Sequence, residues 1–448
     1  MAAIVTNNIK QQLLQTLLED VQDSANSYFI GIGKADQWNT DDTPPAIVNS
    51  EKEKRDFRVN LQSIIRTTDA SFVANRYNWT SGTIYNAYTD NNSTNTNYYV
   101  LTGNNRVYLC VQQAKNQSGV AQTSTVDPDN IGANLNSKKT SDGYVWKYLF
   151  TLGAVRSNKF LSANYLPVEK VDSSEFLGII ETQQLQVQKA ASAGQVVGFR
   201  ILNAGTGYST GSVPNVTIVG DGFGARAVAT VSNAGTISKL EVKDSEGNLA
   251  FGSGYSFANV DFDYGAARAI PIISFNGLGS DPREDLNSVS IMINSKPDGI
   301  QNGSFIVEND FRQIGLIKNP KDTLNDSDFK LTDANVLRKL TLSSVTNFDS
   351  DNSRDALIEG VTSGAKAFVD DLRGDTFFYH QNDSSGYKSF TLSETIRDVD
   401  NAGHTAIVSS DSDGLVNPFS GEVLYIENRN AVIRDAAQTE DIKLIVQL

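Results

Sequence analysis

Residues 142–150 read Asp-Gly-Tyr-Val-Trp-Lys-Tyr-Leu-Phe. Asp-Gly is a turn dipeptide, and the residues after it alternate as a strand does, so Tyr144, Trp146, Tyr148 and Phe150 fall on one face. Four rings in such a row form the wall of a sandwich core or a subunit interface, because large rings bury the most area per residue and their polar tips find partners. A sugar-binding platform is the other use of such a face. The stretch predicts a β-rich protein and marks these four residues as structural or interface candidates.

Outward from this strand the texture is the same. From residue 24 onward, short β-branched and aromatic runs such as Phe-Ile-Gly-Ile at 29–32 are punctuated by Asn, Asp, Ser and Gly, as in an all-β protein with long loops. Residues 90–97 and 116–140 hold too few apolar side chains to be anything but loop. The exception is the N-terminus, where Ile9, Leu13, Leu14, Leu17, Leu18 and Val21 recur at helical spacing behind Thr6 or Asn7 as N-cap. That helix packs on its own domain or against another subunit.

Two islands interrupt the pattern. Residues 192–265 hold 13 of the 34 glycines and two copies of one motif. Ala193-Gly194 with the strand through Ile201, Gly205-Thr206-Gly207-Tyr208-Ser209 and Val216-Thr217-Ile218 match Ala234-Gly235 with the strand through Val242, Gly252-Ser253-Gly254-Tyr255-Ser256 and Val260-Asp261-Phe262. Each copy reads as a strand, a Gly-turn-Tyr corner and a second strand, so residues 178–264 are expected to form an inserted β domain. Residues 331–415, with short strands between Asp/Ser/Asn/Gly turns, are expected to form a second small β barrel or sandwich. The remainder, 1–177, 265–330 and 416–448, then makes one discontinuous β-sandwich core with an N-terminal helix and helix-bearing loops. The length of 448 residues, at about 150 per domain, allows roughly three domains.

Composition excludes several functions. Thirty-eight Lys and Arg against 52 Asp and Glu give a net charge of −14, which argues against a nucleic-acid partner. One cysteine, Cys110, permits no internal disulfide, and two histidines, His380 and His404, leave little for zinc or copper. No run approaches the ~20 apolar residues of a membrane span, and the first 25 residues do not read as a secretory leader, so we expect a soluble chain folded in a reducing cytoplasm.

Apparent chemical motifs dissolve on inspection. Gly207-Tyr208-Ser209-Thr210-Gly211 fits the G-x-S-x-G nucleophile turn, but Pro214 and the β-branched Val216, Ile218 and Val219 follow instead of a helix. The same missing helix removes a dinucleotide loop at Gly205, Gly207 and Gly211. Asp349-Ser350-Asp351 and Asp411-Ser412-Asp413-Gly414 resemble calcium loops, yet the second places Ser409 and Ser420 where an EF-hand needs its first ligand and its bidentate Glu. With 52 acids, carboxylate pairs arise by chance. The expectation is no catalytic residue, no cofactor and no metal ligand.

The strand at 142–150 (DGYVWKYLF), with residues 310–320 (DFRQIGLIKNP) and 421–448 (GEVLYIENRNAVIRDAAQTEDIKLIVQL), resembles the baseplate wedge subunit family of T-even-like contractile-tailed bacteriophages, the wedge protein present as a dimer in each wedge. Residues 29–38 and 76–92 add weaker support. The resemblance spans the expected core, and the two islands have no counterpart in the shorter family pattern. It implies a non-enzymatic structural part, a homodimer, contacts to other wedge subunits and to tail spike or fibre attachments, and residence in the virion tail after assembly in the host bacterial cytoplasm. It brings Arg312 and Tyr425, within the matching stretches, into the set of structural or interface candidates. The alternative is a tail adhesin that binds host surface polysaccharide; a polysaccharide-degrading virion enzyme is the remote third.

Overall fold

The computed structural model describes residues 4–40, 43–89, 97–173, 177–296, 310–434 and 441–448. The chain is mainly β, with helices confined to short segments. The polar loop read at 90–97 lies outside the described residues except for Asn97. Among the described residues no helix is long and apolar enough to cross a membrane.

The single discontinuous core read from the sequence needs correction, because the chain divides into two compact units. One comprises Met1–Gln15, Ser71–Met292 and Ile445–Leu448, the other Thr16–Ala70 and Ile293–Leu444. The reason is that the resembling stretches build two separate hydrophobic clusters. The aromatic strand at 142–150 belongs to the first unit, and the stretches at 29–38 and 310–320 to the second.

In the second unit an antiparallel sheet runs in the order Asp333–Asn335, Leu61–Thr67, Tyr28–Gly33, Phe311–Lys318, Glu422–Val432. Tyr28–Gly33 is buried along its whole length, which accounts for an uninterrupted apolar run where an alternating one would mark a half-exposed strand. Gly31 stands opposite Gly315 in the register. Phe57 lies across both: a Cβ on Gly315 would overlap its ring, and one on Gly31 would press it at 3.0 Å. The helix that delivers Phe57, Glu51–Val59, starts at Ser50, whose Oγ accepts the Glu53 N–H at 3.2 Å, with Glu51 and Glu53 in the first turn.

Residues 338–412 of the same unit close into a six-stranded antiparallel barrel in the order Arg338–Thr346, Thr376–His380, Lys366–Arg373, Leu357–Gly360, Thr395–Asp398, Thr405–Ser412. Period-2 alternation sends Leu340 and Leu342, Phe377 and Tyr379, Ala406 and Val408 inward to one core. At one end Glu394 accepts the N–H groups of Thr362, Ser363 and Thr391 and the Ser363 hydroxyl, which joins two turns through one carboxylate.

In the first unit the aromatic strand, Val145–Thr151, pairs with Arg106–Gln112 in a sheet that also holds Tyr99–Leu101 and Lys138–Lys139. One face, through Leu109, Val111 and Leu149, packs with Ala74, Leu166 and Val168 of the strand pair Asp69–Asn75 and Tyr165–Val168, a sandwich arrangement. The other face carries Tyr108, Cys110, Tyr144, Trp146 and Tyr148, covered by Tyr85 and by Val187 of helix Ile179–Lys189. That helix corrects the boundary read at 178: Val187 is core, so the core continues through the helix. The far boundary moves as well, since Arg268–Ser274 lies beyond residue 264 yet pairs with Gln195–Asn203, the first strand of the Gly/Tyr segment.

Within that segment the two repeats are mutually dependent. The Tyr208 N–H donates to Gly235 O of the second copy, and the Tyr255 N–H donates to Gly194 O of the first, both at 3.1 Å. Tyr208 packs with Ile237 and Tyr255 with Val196, which occupy equivalent places in the two copies. Gly194 and Gly235 have φ of 68° and 72°, a conformation that favours glycine. The second strands, Val216–Gly220 and Ala258–Phe262, pair with each other. Each corner thus completes the other copy. Tyr255→Ala is expected to cost about 3–5 kcal/mol, measured by urea unfolding, and hydrogen exchange is expected to show both repeats losing protection together; loss in one repeat alone would contradict the reciprocal packing.

Candidate functional site

The residues singled out by sequence do not form one site. Tyr144 and Trp146 stack at 5.6 Å with an interplanar angle of 18°, and Tyr85 meets Trp146 edge-on at 5.6 Å. Tyr148 meets Tyr108 in the same way. Phe150 departs from this face. The register slips between Val107 and Tyr108, so Leu149 has no strand partner and Phe150 joins Leu109 and Val111 on the opposite side. A bulge adds one residue to one strand and reverses the facing of everything beyond it. All four rings are buried, which removes the sugar-platform reading.

The polar tips are taken internally. Tyr144 Oη donates to Gln122 O at 2.6 Å, and Tyr108 Oη donates to Asp129 Oδ1 at 3.1 Å. Among the described residues Trp146 Nε1 has no hydrogen-bond partner, and the indole is held by packing. On the same strand Lys147 is buried and its ammonium donates to Leu135 O; burial pushes its amine down to about 8. Burial likewise pushes the Asp285 carboxyl up to about 8 even though it accepts the Gly279 N–H at 2.7 Å.

Arg312 lies in the second unit and is an internal anchor. Its guanidinium pairs with Asp310 at 2.7 Å and donates to Ala35 O. Tyr425, on the outer strand of the five-stranded sheet, is half-buried and donates to Glu427 Oε2 at 2.8 Å.

One charged cluster escaped the sequence reading. His380 Nδ1 lies 2.9 Å from Asp370 Oδ2, and its Nε2 lies 3.5 Å from Asp36 Oδ2. Phe368 stacks on the imidazole. Gln62 donates to Asp370 at 3.0 Å, and Asn382 donates to Asp36 at 2.6 Å. His380 and Asp370 belong to the barrel, Asp36 and Gln62 to the sheet region, so the cluster seats the barrel on the sheet within this unit. Burial works to lower the imidazole, but the charges of Asp370 and Asp36 and their hydrogen bonds outweigh it and raise it to about 10. Burial would raise Asp36, and the contacts with His380, Asn382 and Lys34 bring it down to about 2. Asp370 itself is raised by burial against the opposing pull of His380. The only sequence signal was the rarity of histidine; the partners are remote in the chain, and Asp370 is aimed by a bulge between Val369 and Asp371.

Among the described residues no group of three or more His, Cys, Asp or Glu is placed to hold a metal ion. No model of a known protein family matches the sequence, and a search of curated proteins finds no match.

Two outcomes follow from this geometry. Trp146→Ala is expected to destabilise the protein by about 3–5 kcal/mol through cavity formation, read by thermal or urea unfolding; a change below about 0.5 kcal/mol, typical of exposed positions, would contradict the buried stack. Charged His380 gives stability that is fully present below its unfolded value near 6.5 and lost as pH rises through about 10. The stability difference between wild type and His380→Gln is therefore expected to shrink as urea midpoints are taken from pH 6.5 to 10, and a constant difference would contradict the ionic seat.

Proposed function

We propose that this chain is a non-enzymatic structural component of a contractile-tail baseplate wedge, joining neighbouring wedge subunits and the attachments of tail spikes or fibres. The observation that carries the reading is the location of the resembling stretches within the fold. Three of them, distant in sequence, supply the adjacent strands Tyr28–Gly33, Phe311–Lys318 and Glu422–Val432 of one sheet. A fourth of the five supplies the aromatic strand, whose rings are buried, and the weaker fifth, 76–92, supplies no strand among its described residues. Resemblance concentrated in interlocking frame strands, with the additional β segments outside it, fits a part whose task is to hold position.

Such a part works by moving as a body while its loops keep their grip on neighbours. Arg312, pinned from inside, and the glycine slot around Phe57 stiffen the frame. The sheet ends in Glu422–Val432, an 11-residue strand paired on one side only among the described residues. The Arg429 carbonyl is taken by Trp38 Nε1 at 2.9 Å, and the edge before it, residues 422–428, offers backbone groups to a second copy, which favours a homodimer.

Cryo-electron microscopy of the virion that carries this chain is expected to find it in the baseplate wedges; density only at a distal fibre tip would overturn the reading in favour of an adhesin. Ultracentrifugation across a dilution series is expected to give a mass near twice 48.7 kDa, and a strict monomer at high concentration would count against the dimer.

A further inference from the structure

The second unit contains a cleft of about 560 Å³ where the helix Glu51–Val59, the residues after the strand Tyr28–Gly33 and the turn after Thr376–His380 meet. That volume is in the range of small-ligand sites, roughly 300–1,000 Å³. Four carboxylates line it, Asp36, Glu53, Asp56 and Asp383, against two ammonium groups, Lys34 and Lys52. Most of these charges are already engaged. Asp36 meets His380, Asn382 and Lys34, Asp56 meets Lys52 and Arg55, and Asp383 lies 3.4 Å from Arg55. Glu53 is different. Its half-buried carboxylate makes no hydrogen bond or ion pair among the described residues.

A second unused group forms the floor. Gln313 lies on the same face of its strand as Gly315, two residues on, and so points toward the helix that carries Phe57 and Glu53. Its side chain is 3% exposed, and a relay fixes its amide. Asn428 Nδ2 donates to the Pro45 carbonyl at 3.0 Å, which can only accept, so Asn428 Oδ1 is left to accept from Gln313 Nε2 at 2.8 Å. Gln313 Oε1 is thereby turned away from Asn428 and, among the described residues, has no donor. A buried acceptor in that state has lost its hydration without compensation. The third unused group is a ring. Tyr387 is held by its hydroxyl, which donates to Asp383 at 2.8 Å, while its exposed ring makes no ring or cation contact among the described residues.

The acceptor needs an N–H, the carboxylate needs positive charge, and the open ring favours a flat cation on its face. Guanidinium supplies all three, being planar, always charged and furnished with donors in several directions. An ammonium would meet the charge but presents no plane to the ring. We propose that this cleft receives a guanidinium group, donating to Gln313 Oε1 and the Glu53 carboxylate and lying on Tyr387.

The test is titration calorimetry of the full chain with acetyl-arginine amide and methylguanidinium, alongside acetyl-citrulline amide and acetyl-lysine amide. Both guanidinium compounds are expected to bind saturably and to weaken with added salt, with the uncharged citrulline derivative silent and the lysine derivative about tenfold weaker. Tighter binding of acetyl-arginine amide than of methylguanidinium would assign the site to an arginine carried on a peptide, and equal binding to a free guanidinium compound. Glu53→Gln is expected to raise Kd about tenfold at unchanged Tm, and Gln313→Met, which keeps the length and removes the carbonyl, to abolish binding. Hydrogen exchange on the wild type, which needs no variant, is expected to slow at 53–60 and 383–387 on adding acetyl-arginine amide. Absent binding, equal binding of the citrulline or lysine derivative, an unchanged Kd in folded Glu53→Gln, or protection elsewhere would each overturn the proposal.

Discussion

Tyr28–Gly33, Phe311–Lys318 and Glu422–Val432 come from distant parts of the chain, and the second unit depends on their meeting in one register. Closing loops of that length costs conformational entropy that grows slowly with length but is never small. The register is selected by Phe57, which fits only where Gly31 and Gly315 stand opposite each other. Because side chains alternate, a slip of one residue would put an isoleucine under the ring and reverse the facing of a strand buried throughout its length. The barrel grows from the edge of this sheet, and Asp36, which engages His380, leaves its first strand.

Buried charge is handled differently at two places. His380 sits between two carboxylates, and the amides of Gln62 and Asn382 hold those carboxylates in turn. A buried charge left without such partners would be costly, so the barrel and the sheet are locked to a common arrangement by the need to satisfy it. Lys147 and Asp285 are instead driven toward their neutral forms by burial, each keeping a backbone partner. His380, Asp370 and Lys147 stand on strands, and Asp285 ends the helical turn Pro282–Asp285.

The Gly/Tyr segment shows how duplication becomes structure. Neither repeat can bury its own tyrosine fully, so each uses the other's first strand, and the pair forms a small body anchored by Gln195–Asn203 and Arg268–Ser274. Val197 and Ile272 of that stalk reach the same cluster as Leu109 and Leu149.

Local pattern determined the β-rich class, the N-terminal helix Asn7–Gln22, the existence of the aromatic strand and the pairing of two Gly/Tyr copies, because alternation, helical spacing, turn dipeptides and repeats are properties of neighbouring residues. Even there it overreached: of the helix face read from spacing, Leu14 and Val21 are buried, while Ile9 and Leu13 are exposed. The division into two units, the core role of Val187, the turn of Phe150 to the opposite face and the meeting of His380 with Asp36 and Asp370 were decided by tertiary structure. Each depends on a bulge or on a contact between residues far apart in the chain. A periodicity cannot encode where an extra residue interrupts a ladder, nor which distant segment's side chain will fill a space left by two glycines.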